Sequence, residues 1–102
     1  MAIAEITVVP IGTSSTSLSE YVAHLQKVLD NQPLHYELTP MSTIIEGPLD
    51  QLMEVILKLH ESPFDNGAQR VSTSIKIDDR RDKTASMQQK LQSVAEKLER
   101  LQ

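Results

Sequence analysis

An α+β fold is expected for this chain, an antiparallel sheet with two helices on one face and an additional C-terminal helix, and three observations point to it. Segments of strand and helix periodicity follow one another in the order β-α-β-β-α-β-α. The length, 102 residues, suits one hydrophobic core. Hydrophobic residues make up 39% and charged residues 24%, the balance of a folded rather than a disordered chain. The first six elements form the split β-α-β arrangement, so a single ferredoxin-like domain is expected over residues 1–102.

Ile3 to Val9 is β-branched and alternating, with Ala4, Ile6 and Val8 on one side, and reads as the first strand. Ser17-Leu18-Ser19-Glu20 matches a capping box, in which the serine oxygen and the glutamate carboxylate satisfy each other's orphan amides, and a helix is expected to begin there. Leu18, Tyr21, Val22, Leu25, Val28 and Leu29 fall within about 120° of one another at the helical step, a stripe that faces a core. Asn31-Gln32-Pro33 stops the helix. Leu34–Thr39 and Thr43–Glu46 then read as a hairpin turned by Pro40-Met41-Ser42.

Gly47-Pro48 opens a second helix with Leu49, Leu52, Ile56 and Leu59 as its core stripe. Ser62-Pro63-Phe64-Asp65-Asn66-Gly67 reads as a turn. In the next segment Val71, Thr73, Ile75 and Ile77 alternate with Arg70, Ser72, Ser74 and Lys76, which predicts a fourth strand buried on one side. Asp78 to Asp82 reads as a charged turn. From about Thr84 a last helix carries Met87, Leu91, Val94, Leu98 and Leu101 at spacings of 4, 3, 4 and 3, a narrow apolar seam.

Composition excludes several functions. The 14 acidic and 10 basic side chains give a formal charge of −4, and there are three aromatic residues. A phosphate-tracking surface and a base-stacking platform both need more, so no nucleic-acid partner is expected. The absence of cysteine removes disulfides and thiolate chemistry. No apolar run approaches the ~20 residues that cross a bilayer, and the N-terminus lacks a secretion signal, so no membrane partner and a cytoplasmic location are expected.

The two amphipathic helices of the split β-α-β unit leave apolar surface over. Met53 and Leu57 lie about 100° and 140° from Leu52, outside the stripe one sheet can cover. Exposing the seam of the last helix as well forgoes several kcal/mol, at roughly 1.5–3 per large side chain. Either the helix folds back on its own subunit or it packs against a second copy, and self-association is the preferred reading. Thr7, Glu37, Ser72 and Ser74 fall on the sheet face away from the helices, which is polar and either solvated or part of a shared cavity.

No catalytic constellation is assembled. His24, His35 and His60 occupy different elements with no metal-ligand spacing, so neither a metal nor a cofactor is expected. Ser14 to Ser17 has no nucleophile elbow, and the three glycines build no phosphate-cradling loop. Glu46 stands out because it ends a strand before Gly47-Pro48. A carboxylate there can accept two hydrogen bonds from an amidine-like edge such as an aminopyrimidine, and its charge favours a cation. Thr43, earlier on the strand, is expected on the same face with its hydroxyl beside it. Arg80 and Arg81 are neutralised by the surrounding aspartates. Arg70 opens the fourth strand and is expected either in a plain ion pair or on a ligand.

Four segments carry a wider likeness: Val9-Pro10-Ile11-Gly12-Thr13, Tyr36 to Gly47 (YELTPMSTIIEG), His60-Glu61, and Arg70 to Arg80 (RVSTSIKIDDR). Together they resemble the MTH1187/YkoF-like thiamine-binding protein family, UPF0045. The resemblance implies a ferredoxin-like domain that assembles into dimers and tetramers and binds thiamine or its hydroxymethylpyrimidine part without turnover. Carried onto this chain, it implies a ligand site drawn from Thr13, Tyr36, Met41, Thr43, Glu46, Arg70 and Thr73. Glu46 and Thr43 would hydrogen-bond the aminopyrimidine while Tyr36 and Met41 contact its ring. The alternative is an ACT-like regulatory module that docks on another protein. Catalysis lacks an acid-base pair to support it.

Overall fold

The computed structural model describes residues 1–13, 18–82 and 86–101. Its elements are β1 (Ala2–Pro10), α1 (Ser19–Asp30), β2 (His35–Leu38), β3 (Thr43–Gly47), α2 (Leu49–Asp65), β4 (Val71–Asp79) and α3 (Met87–Arg100). The four strands form one antiparallel sheet in the order β2-β3-β1-β4, so β1 and β3 are central as the split β-α-β arrangement requires.

Directly paired residues share a face, so the register sorts every strand side chain. On the inner face Tyr36, Ile45, Ala4 and Ile77 form one row, and Leu38, Thr43, Ile6 and Ile75 the next. Ala2, Ala4, Ile6 and Ile45 are buried there under Leu25 and Leu29 of α1 and Leu52, Val55, Ile56 and Leu59 of α2. The outer face carries His35, Glu46, Ile3 and Asp78 in one row and Glu37, Ile44, Glu5 and Lys76 in the next. Thr7 pairs with Ser74 and Val9 with Ser72 on the same side, which is the polar face expected from the pattern.

Four sequence expectations change. First, α2 does not stop at Ser62 but runs through Asp65 with Pro63 inside it. Pro63 cannot donate to the preceding turn, a loss of about 3 kcal/mol in a helix interior. Here the ring is fully buried, and Pro63 accepts at its carbonyl from the amides of Asn66 at 3.1 Å and Ala68 at 2.9 Å, which closes the helix end. Second, β4 continues through Asp78 and Asp79, because Ile3 and Ala2 of β1 supply partners for both.

Third, β4 is not buried on one side. Ile75 and Ile77 lie on the inner face yet remain 46% and 41% exposed. β4 is an edge strand, with a neighbouring strand on one side alone, and the contact α2 makes with it through His60 falls on Thr73. The other helix, α1, sits toward β2, where the Asp30 carboxylate accepts from the Tyr36 hydroxyl. Fourth, Val22 is exposed while Leu25 and Leu29 carry the burial of α1. Ser17 of the expected capping box and Thr84 of the last helix lie outside the described residues. α1 begins at Ser19 after Leu18, and the cap seen on α3 is Ser86, whose hydroxyl accepts from the Gln89 amide at 3.1 Å.

α3 does not fold back. It is joined to the domain at its first turn, where Met87 is buried, the Met87 amide donates to Glu46 at 2.9 Å, and Lys90 pairs with Asp78. Beyond that turn Leu91, Val94, Leu98 and Leu101 are all exposed, Leu91 to 68% and Leu101 to 83%. The extents of the molecule, 51 × 31 × 20 Å, reflect this projecting helix.

Candidate functional site

The seven residues singled out from the sequence fall in four places. Tyr36, Thr43 and Thr73 are on the inner face of the sheet, and all three are half-buried. Glu46 is on the outer face, at the end of the sheet where β1 begins. Met41 stands at the tip of the β2–β3 turn and is 82% exposed. Thr13 and Arg70 line a cleft of about 520 Å³ at the other end of the sheet, where β1 ends and β4 starts. One chain therefore does not gather them into a single pocket.

Thr43 is not beside Glu46. The two are three positions apart, an odd offset, Thr43 pairing with the inner-facing Ile6 and Glu46 with Ile3, so their side chains leave opposite faces. Nor does Glu46 offer both carboxylate oxygens. One already accepts the Met87 amide at the start of α3, a favourable place for an anion because the first helical amides are otherwise unpaired. The row of the outer face that holds Glu46 also holds His35, Ile3 and Asp78. Including the next row, this half of the outer face bears four carboxylates (Glu5, Glu37, Glu46 and Asp78) against Lys76 on the sheet and Lys90, which α3 brings to Asp78.

The inner-face candidates are engaged with neighbours. Tyr36 packs on the core and donates to Asp30, which raises the phenol's pKa above its usual value: the hydrogen bond to the carboxylate acts most strongly, and desolvation and the aspartate's charge add to it. Thr73 meets His60 through an Oγ1–Nδ1 contact of 2.7 Å, and the His60 ring stands edge-on to Phe64 with centroids 5.6 Å apart. The link between His60 and Thr73 has no local signal in the sequence, because the two lie in different elements. Met41 sits in a turn organised by Thr39, whose hydroxyl oxygen accepts from the amides of Met41 at 3.2 Å and Ser42 at 2.9 Å.

Arg70 is not in the plain ion pair considered for it. Among the described residues its guanidinium has no ionic or hydrogen-bonded partner, in contrast to Arg80 and Arg81, which are held by Asp82 and Asp79. Its backbone carbonyl accepts the Ile11 amide at 2.8 Å and so ties the two ends of the cleft together. A separate cleft of about 590 Å³ runs between α1 and α2, with His24, Lys27 and Lys58 facing Glu61 and Asp65; none of the seven residues lines it. Among the described residues there is no group of three metal-ligating side chains, and no helix is long and apolar enough to cross a membrane.

Comparison with known proteins supplies the family. The model of the family described as "Thiamine-binding protein" matches residues 4–95. The chain belongs to this family. It is similar to the UPF0045 protein YqgV of Bacillus subtilis, with 48% identity across 97% of this chain and 99% of the relative. A UPF0045 protein of Methanothermobacter thermautotrophicus is 46% identical over 96% of this chain and the whole of its own length. Among solved structures, protein MJ1052 of Methanocaldococcus jannaschii superposes with a TM-score of 0.82 at 34% identity, covering 93% of this chain and 96% of its own. A candidate thiamine biosynthesis/salvage protein of Thermotoga maritima shares the fold, with a TM-score of 0.75 at 20% identity over 91% of this chain and 97% of its own.

Proposed function

We propose that the chain binds thiamine or its hydroxymethylpyrimidine part without chemical turnover, as a cytoplasmic carrier or sensor assembled from two or four copies. Membership of a thiamine-binding family across residues 4–95 is the observation that carries this reading. The outer face supports it. Thiamine brings an aminopyrimidine whose exocyclic amino group donates N–H bonds and a positively charged thiazolium, and the face around Glu46 offers an excess of carboxylates, with one Glu46 oxygen without a partner among the described residues. The scatter of Tyr36, Met41, Thr43 and Thr73 supports a pocket completed by a neighbouring copy, and the bare seam of α3 supplies the apolar surface for that assembly.

Calorimetric titration of ligand-free protein with thiamine and with hydroxymethylpyrimidine tests the reading; absence of heat from both at millimolar ligand overturns it. Glu46→Gln keeps an oxygen for the Met87 amide while removing the charge. Affinity is therefore expected to fall by roughly 1–3 kcal/mol with α3 still capped, and unchanged affinity removes Glu46 from the site.

A further inference from the structure

We infer that the cleft between the β1–α1 and α2–β4 connections is an anion site that takes the phosphate group of a small molecule, apart from the carboxylate-lined face proposed for the heterocycle. The overall charge of the chain, −4, makes the composition of this cleft unusual. It is lined by 11–13 of the first connection, by Tyr21 in the first turn of α1 and by 67–70 of the second connection, with no carboxylate among the described residues. The polar side chains there are the Thr13 and Tyr21 hydroxyls, the Gln69 amide and the Arg70 guanidinium, all able to donate.

Arg70 is the centre of this set. A forked guanidinium matches phosphate oxygens in pairs, and this one is not already committed to an acid as Arg80 and Arg81 are. Its position is fixed by the Ile11–Arg70 backbone hydrogen bond, which holds the β1 exit against the start of β4. Gly12 and Gly67 border the cleft with φ of +79° and +98°, values a larger residue adopts only under strain, and a Cβ at either would meet nothing within 4 Å. The glycines are thus required by backbone conformation rather than by crowding, and they leave the mouth open. At about 520 Å³ the cleft is in the range of small-molecule sites rather than that of a bare ion.

Calorimetric titration of the full chain with inorganic phosphate and with glycerol 3-phosphate, with glycerol as control, tests the site. Both phosphates are expected to bind and glycerol is not. Arg70→Gln should weaken phosphate binding at least tenfold, Arg70→Lys less, and Tyr21→Phe least. Tighter binding of the ester than of the free ion identifies an organic phosphate as the occupant, and equal binding identifies phosphate itself. Melting curves in phosphate against chloride of equal ionic strength give a second readout, with a rise in Tm expected for the wild type and lost in Arg70→Gln. No heat from either phosphate at about 10 mM, or an Arg70→Gln affinity equal to wild type, overturns the site. Thiamine is titrated separately. Phosphate binding without thiamine binding sinks the proposed function alone, and the reverse sinks this inference alone.

Discussion

Helices α2 and α3 carry the same kind of signal and meet different ends. Each repeats large aliphatic residues on one face at helical spacing. In α2, Leu52, Ile56 and Leu59 are buried against the sheet. In α3, Leu91, Val94 and Leu98 stand in solvent, and only Met87 is buried. Periodicity states which face of a helix calls for cover; it does not state what provides the cover. For α2 the provider is β1 and its neighbours. For α3 it is absent from the protomer, and a second copy is the proposed provider.

The largest expected effect follows from that difference. Replacing Leu91 and Leu98 together with serine should weaken self-association by about 3–6 kcal/mol, at 1.5–3 per buried leucine, while the far-ultraviolet signature of the sheet domain persists. Sedimentation over a concentration series reads the change, and an unaltered mass distribution removes α3 from the interface. Next, Leu59→Ala in α2 should cost about 2–5 kcal/mol in denaturant unfolding, because the cavity lies inside the core whatever the assembly does. If the two sets of substitutions behave alike, the contrast between the helices fails.

Smaller effects sharpen the picture at the junction of α3. Ser86→Ala removes the side-chain acceptor of the Gln89 amide and should cost about 1 kcal/mol, seen as early loss of helical signal on heating. The smallest effect concerns Asp79, whose carboxyl is held below its ordinary 3.8 chiefly by the hydrogen bond from Arg81, which outweighs an opposing desolvation, with the charge of Arg81 adding less. A lowered folded-state pKa means that the contribution is present above 3.8 and fades as pH falls through the folded value. Asp79→Asn should therefore converge with wild type in acid and differ from it slightly at neutral pH, measured as the difference in Tm.

Much of the architecture was legible along the chain. The alternation in Ile3 to Val9 and the stripes of α1 and α2 gave the element order, and the odd-even rule placed Thr7, Ser72 and Ser74 on the outer face. Misreadings came where local chemistry was outvoted by packing. Pro63 is a turn former in isolation, yet burial of its ring carries the helix past it. Asp78 and Asp79 suit a turn, yet β1 offers them a strand to pair with. Residue type singled out Glu46 and Arg70 as candidates, but it did not give their surroundings. Thr43, expected beside Glu46, leaves the opposite face because the two are three positions apart in one strand, and no local pattern linked His60 to Thr73 or Glu46 to the start of α3.

The sequence alone settled which elements form and which of their faces are apolar, because period 2 and period 3.6 are properties of neighbouring residues. It also settled family membership, through residues spread over most of the chain. Only the tertiary structure decided that Glu46 meets the Met87 amide, that Arg70 shares a cleft with Thr13, and that α3 leaves the domain with its leucines bare. Each of these depends on strand register and on the direction in which a helix departs, quantities fixed by the packing of the whole sheet rather than by any segment within it.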